Sequence, residues 1–126
     1  MEQADLLDGT VSLRRVAVID VGSNSVRLVI FDGVARSPAY FFSEKVLCGL
    51  GADLAKTGRL SPQGRVRAQA ALRRFTALSR RAGSSVLMVV ATAAMREATD
   101  GPEFKAELAA EFGSDVTIAS GSGEAR

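Results

Sequence analysis

Residues 16–31 read Val16-Ala17-Val18-Ile19-Asp20-Val21-Gly22-Ser23-Asn24-Ser25-Val26-Arg27-Leu28-Val29-Ile30-Phe31. Apart from Asp20 the first six are apolar and rich in β-branched side chains, Gly22 to Ser25 has the composition of a turn, and an apolar run then resumes. β-Branched residues fit a pleated backbone, and a Gly/Ser/Asn cluster between two such runs is hairpin punctuation. The stretch therefore predicts strand, tight turn, strand. Working outward, a third strand over residues 40–47 follows Ser37-Pro38, and three early strands at hairpin spacing predict an antiparallel meander. Residues 1–14 lack periodicity and are expected to form a flexible lead, leaving 15–126 as the folded domain.

Downstream the period changes from strand to helix. Gly49, Gly51 and Gly58 punctuate a loop that ends at Ser61-Pro62, a capping residue followed by a proline suited to the first helical position. From there to Gly83, Ala68, Ala71, Leu72, Phe75, Leu78, Ser79 and Ala82 recur at spacings of three and four, which predicts an amphipathic helix. Residues 86–90 show no polar alternation and read as a strand buried on both faces of a parallel sheet. Residues 91–98 are helical in composition up to a break at Thr99-Asp100-Gly101-Pro102. A second helix over 103–112 places Phe104, Leu108 and Phe112 on one face and stops at Gly113. A short strand, Val116-Thr117-Ile118, precedes the loop Ser120-Gly121-Ser122-Gly123. The predicted order is βββαβαβ, an α/β fold with a mixed five-stranded sheet flanked by helices. No internal repeat or interdomain linker interrupts it. Gly121-Ser122-Gly123-Glu124-Ala125-Arg126 looks like a loop entering a helix, so the chain is expected to be a fragment.

Composition narrows the chemistry. The 126 residues include no His, no Trp and one Cys. A chain this long buries roughly two thirds of its unfolded surface, so it needs neither a disulfide nor a structural metal to fold. Without His, and with Cys48 alone, there is no imidazole base, no Ser-His-Asp triad, no intramolecular disulfide and no His or Cys-cluster metal site. Carboxylates, guanidiniums, hydroxyls and backbone N–H groups remain, an inventory that suits phosphoryl chemistry. The longest uncharged stretch, residues 82–95, falls short of the about 20 residues a membrane span needs, and the amino terminus lacks an apolar signal core. A cytoplasmic protein without a membrane partner is expected. Residues 54–96 hold nine cations and no acid, while the chain as a whole carries only +2. Such a segment reads either as a solvated helix face or as an anion-facing side.

Three strand-to-loop junctions can carry chemistry. At the first, Asp20 ends a strand and can hold Mg²⁺ directly or through water, while the N–H groups of Gly22, Ser23, Asn24 and Ser25 can cradle a phosphate. The same residues also suit a plain hairpin stabilised by side-chain turn bonds. At the second, Thr92 and Arg96 lie four residues apart, one helical turn, so both can face one point, and an Arg fork there suits phosphate oxygens. The competing reading pairs Arg96 with Glu97 or Glu103. At the third, Glu124 can orient or deprotonate a water near a bound phosphate, or it can simply stabilise a helix amino terminus.

The string Val18-Ile19-Asp20-Val21-Gly22-Ser23-Asn24-Ser25-Val26-Arg27-Leu28-Val29 resembles the first phosphate loop of the exopolyphosphatase and guanosine pentaphosphate phosphohydrolase family, within the actin, Hsp70 and sugar-kinase superfamily. Further strings resemble that family in order: Leu50-Gly51, Thr57-Gly58-Arg59-Leu60-Ser61, Ala91-Thr92-Ala93-Ala94-Met95-Arg96-Glu97-Ala98, Gly101-Pro102-Glu103-Phe104, and Ser120-Gly121 with Glu124-Ala125-Arg126. The resemblance implies a two-domain, ribonuclease-H-like enzyme that uses Mg²⁺ to hydrolyse the terminal phosphoanhydride of polyphosphate or guanosine pentaphosphate in the cleft between domains. This chain would be its amino-terminal domain, with the second domain absent and activity low. The resemblance further implies Asp20 in the metal neighbourhood, Gly22, Ser23, Asn24 and Ser25 in the phosphate loop, Arg96 as the phosphate grip and Glu124 as the base. Gly123 stands where the family commonly has Glu, and Asp100 where it commonly has Asn. Two other classes compete: an actin-like or sugar-kinase ATP-binding domain, and a non-enzymatic polyanion-binding module built on the Arg-rich helix. The helix lacks interleaved aromatics, so nucleic acid is not an expected partner. A homodimer of the full-length protein is compatible with the sequence.

Overall fold

The computed structural model describes residues 15–32, 39–84, 86–112 and 116–118. The expected lead over 1–14, the stop at Gly113 and the loop after residue 118 lie outside them. The elements are strands β1 (Arg15–Val21), β2 (Ser25–Asp32) and β3 (Ala39–Leu47), helices α1 (Leu54–Thr57) and α2 (Pro62–Arg81), strand β4 (Val86–Ala91), helices α3 (Ala93–Glu97) and α4 (Gly101–Phe112), and strand β5 (Val116–Ile118). They form one five-stranded sheet in the order β3-β2-β1-β4-β5. β1 to β3 pair antiparallel, and β4 lies parallel to both β1 and β5. The predicted meander and mixed sheet are therefore present. Two details differ: a four-residue helix, α1, occupies part of the expected loop, and α4 starts two residues early, at Gly101.

Both helical crossovers carry the chain across the sheet in the same sense, from β3 past β1 to β4 and from β4 to β5. Since right-handed crossovers are the rule, both put their helices on one face. On that face Ala17, Ile19 and Val21 of β1, Val26, Leu28 and Ile30 of β2, and Val89 and Ala91 of β4 join one core cluster with Ala68, Leu72 and Phe75 of α2 and Phe104 and Leu108 of α4. Each fully buried Leu or Phe contributes about 1.5–3 kcal/mol by leaving water. The expectation that β4 is buried on both faces is not met. Val86 and Met88, on its other face, are 37% and 49% exposed. The run is apolar throughout, but only its helix-facing residues are covered among the described residues.

α2 begins as its sequence predicts: the Ser61 hydroxyl accepts the Gly64 N–H at 3.0 Å and Pro62 takes the first turn. Among the described residues, three of its six arginines pair with acids. Arg65 donates to Glu107 at 2.7 Å and lies 3.9 Å from Glu103, Arg73 pairs with Glu111, and Arg74 pairs with Glu44 of β3. Glu103, Glu107 and Glu111 are spaced by four along α4 and so form one acidic stripe. Part of the charge asymmetry along the sequence is thereby cancelled in space.

Candidate functional site

β1 and β2 pair as far as Val21 with Val26, and the Gly22 N–H donates to the Ser25 carbonyl at 2.9 Å. That leaves Ser23 and Asn24, both exposed, as a two-residue hairpin tip. Each tip carbonyl is tied to the segment that follows β3. The Gly51 N–H donates to the Ser23 carbonyl at 2.9 Å, and the N–H groups of Cys48 and Gly49 donate to the Asn24 carbonyl at 2.9 and 3.1 Å. All peptide bonds described are trans. In a trans peptide the N–H opposes the carbonyl, so the Asn24 and Ser25 N–H groups are directed away from residues 48–51. Gly51 eases this close approach, because a Cβ there would stand 3.2 Å from Ser23 Cβ, tighter than most real contacts, and 3.4 Å from Ala94 Cβ.

The second junction lies beside the first. β1 and β4 are parallel with Val21 opposite Ala91, so Thr92 leaves the sheet next to Gly22. The Thr92 N–H and hydroxyl both donate to the Val21 carbonyl, at 3.0 and 3.2 Å. A Cβ on Gly22 would reach 3.3 Å from the Ser25 carbonyl oxygen and 3.7 Å from Thr92 Oγ1, so glycine keeps this corner open. Arg96 follows one helical turn later: its N–H donates to the Thr92 carbonyl at 3.2 Å and its side chain is exposed. Glu103, one of its two alternative partners from sequence, instead faces Arg65. Asp20 is exposed at the same end of β1, opposite Arg27 in the β1–β2 register. β5 ends in the same row, Ile118 pairing with Ala91, and Glu124 lies beyond it, outside the described residues.

Sequence reasoning missed what holds this corner together. Asp100, 5% exposed, sits just before α4 and accepts the Leu60 N–H on Oδ1 at 2.9 Å. Its Oδ2 accepts from Arg65 at 3.1 Å and lies 3.7 Å from Arg59. Burial alone would raise the pKa of this carboxyl; hydrogen bonds from the Leu60 N–H and its own N–H, together with the Arg59 and Arg65 charges, outweigh burial and lower it. A group with a depressed folded pKa stabilises the fold above its unfolded value, about 3.9, and that contribution is lost as pH falls through the folded value. The stability difference between wild type and D100N should therefore hold steady above about pH 5 and close below about pH 4. Urea midpoints across that range check it; a gap that does not change with pH would show that the Asp100 charge contributes nothing.

The fold is ribonuclease-H-like, the fold of the actin, Hsp70 and sugar-kinase superfamily. The model of the Ppx/GppA phosphatase family matches residues 29–126, and the chain belongs to that family. It is 34% identical over 102 residues to exopolyphosphatase 2 of Mycobacterium tuberculosis, covering 78% of this chain and 32% of that protein. Among solved structures, the Ppx/GppA family member of Aquifex aeolicus superposes with a TM-score of 0.78 at 30% identity, over 83% of this chain and 34% of that one. An exopolyphosphatase from Cytophaga hutchinsonii superposes with a TM-score of 0.80 at 26% identity, over 86% of this chain and 35% of that one. The chain thus spans about a third of the length of these relatives.

Proposed function

We propose that this chain supplies one wall of the active site of a phosphohydrolase that removes the terminal phosphate of inorganic polyphosphate, with guanosine pentaphosphate as a second substrate class. The reading rests on the hairpin tip: both its carbonyls are held by residues 48–51, so its amides face outward, as a phosphate requires. Thr92 and Arg96 leave the sheet at the same end, where a guanidinium fork can take two phosphate oxygens. Glu124 would accept the proton of the water attacking the terminal phosphorus, while the P–O bond to the bridging oxygen breaks and its electrons stay on that oxygen of the shortened chain, the leaving group. A second domain would close the other side, and the 126-residue chain alone is expected to hydrolyse little.

The residues present suit Mg²⁺ bound together with substrate. Among the described residues no cluster of three carboxylates, Cys or His could cage a metal, whereas Asp20 offers one carboxylate beside the open turn. Mg²⁺ is commonly held by one or two carboxylates, water and substrate phosphates. When bound, it would spread the negative charge that develops on the phosphoryl oxygens. No helix among the described residues is long and apolar enough to cross a membrane.

Calorimetric titration of the chain with tripolyphosphate and Mg²⁺ tests the reading. Binding should be detectable, and R96A should weaken it by about tenfold, the loss of one charge-assisted contact. Binding that survives R96A but falls with R73A or R80A would instead support a polyanion-binding module on α2.

A further inference from the structure

We propose that Asp100 is a positioning residue for the hairpin tip, acting through the segment that leads into α2. The inference rests on the phosphate-binding reading of that tip. From Asp100 Oδ1 the connection runs to the Leu60 N–H at 2.9 Å; the next residue, Ser61, donates its N–H to the Leu50 carbonyl at 2.9 Å. Leu50 lies between Gly49 and Gly51, whose N–H groups hold the Asn24 and Ser23 carbonyls. Every link is a direct hydrogen bond or a neighbouring residue, and Leu50, Leu60 and Ser61 are all buried.

The connection is stiff for steric reasons too. A Cβ on Gly64, in the first turn of α2, would lie 2.7 Å from Leu50 Cα and 2.8 Å from the Gly49 carbonyl oxygen, so α2 presses directly on the backbone behind the tip. At the other end Asp100 belongs to the corner between α3 and α4, four residues beyond Arg96. The Thr99 N–H and hydroxyl donate to the Gly58 carbonyl at 2.8 and 3.2 Å, which binds that corner to the same segment a second time. Asp100 is therefore placed to set the tip against the helix that carries Arg96. The acceptor oxygen is what this role needs. An Asn preserves an oxygen for the Leu60 N–H, whereas an Ala leaves that N–H buried without a partner.

Amide hydrogen exchange on the chain as it stands provides the test. D100A should speed exchange at Cys48, Gly49 and Gly51 roughly tenfold more than at Val18 and Val29, a hydrogen-bonded pair of the β1–β2 ladder, while D100N restores their protection. General destabilisation would move all five amides together, and that result, or no change at all, would overturn the proposal. If D100A fails to fold, D100S keeps a capping residue before α4 with a side chain one atom shorter, and the same local loss is expected. Titration with tripolyphosphate and Mg²⁺ provides the second arm: D100A should bind about tenfold more weakly, and D100N close to wild type. A wild-type chain that binds no tripolyphosphate would sink the phosphate reading, whereas a D100A chain that binds as well as wild type would sink the positioning role.

Discussion

In a full-length enzyme that carries this domain, E124Q is expected to lower kcat on polyphosphate by roughly 10² to 10⁴ while leaving KM within a few fold, as when a general base is lost. The amide matches the carboxylate in shape and cannot accept the proton of the attacking water. R96A should behave differently, since a guanidinium fork holds phosphate in the ground state and the transition state alike, and KM should rise with it. The position of Glu124 in the chain motivates the expectation: β5 ends level with the Thr92 junction, and Glu124 follows six residues after Ile118. Gly123, where the family commonly has a Glu, makes the test sharper, because no neighbouring carboxylate at that position can take over the proton. Steady-state rates on defined polyphosphate chains measure both variants, and an E124Q enzyme with near-normal kcat would return Glu124 to a role in helix capping.

What the sequence made legible was local. The hairpin over residues 15–32 could be read because two β-branched runs flank a tip of small polar residues, and the start of α2 because Ser61-Pro62 is a cap with a fixed φ behind it. The one-sided burial of β4 could not be read from its composition, since an apolar run reports what the strand can bury and not where the helices lie. Strand order and crossover handedness decide that. The pairing of α2 with α4 was hidden for a related reason: Arg65 and Glu107 are 42 residues apart, and only the packing of the two helices brings them together. The candidate site divides in the same way. Gly22 to Ser25, Thr92 and Arg96 stood out by residue type, whereas the support of the tip runs through backbone carbonyls, which leave no mark in side-chain chemistry. Gly49 and Gly51 were visible as loop punctuation, and Asp100 as a departure from the family's Asn, but neither feature showed what it touches.

The corner that holds Asp100 also sets the largest expected loss of stability. At Gly101 an added Cβ would stand 1.9 Å from the Met95 carbonyl oxygen and 2.9 Å from its carbon, both backbone atoms of α3. No rotamer change relieves such a clash, so either α3 or α4 must move, and both are packed through Met95, Phe104 and Leu108 into the core. G101A should therefore cost about 3 kcal/mol or more, at the upper end of overpacking substitutions. Gly58 provides the contrast. It has φ +72° with nothing within 4 Å of its would-be Cβ, so G58A meets only the left-handed backbone penalty of about 1–2 kcal/mol. G64A, pressed on the Leu50 and Gly49 backbone, should fall between them or match G101A. Urea unfolding of the three variants gives the order directly. A G101A protein as stable as G58A would mean that the α3–α4 corner yields without cost, and a corner that yields could not hold Arg96 and the hairpin tip in one fixed relation.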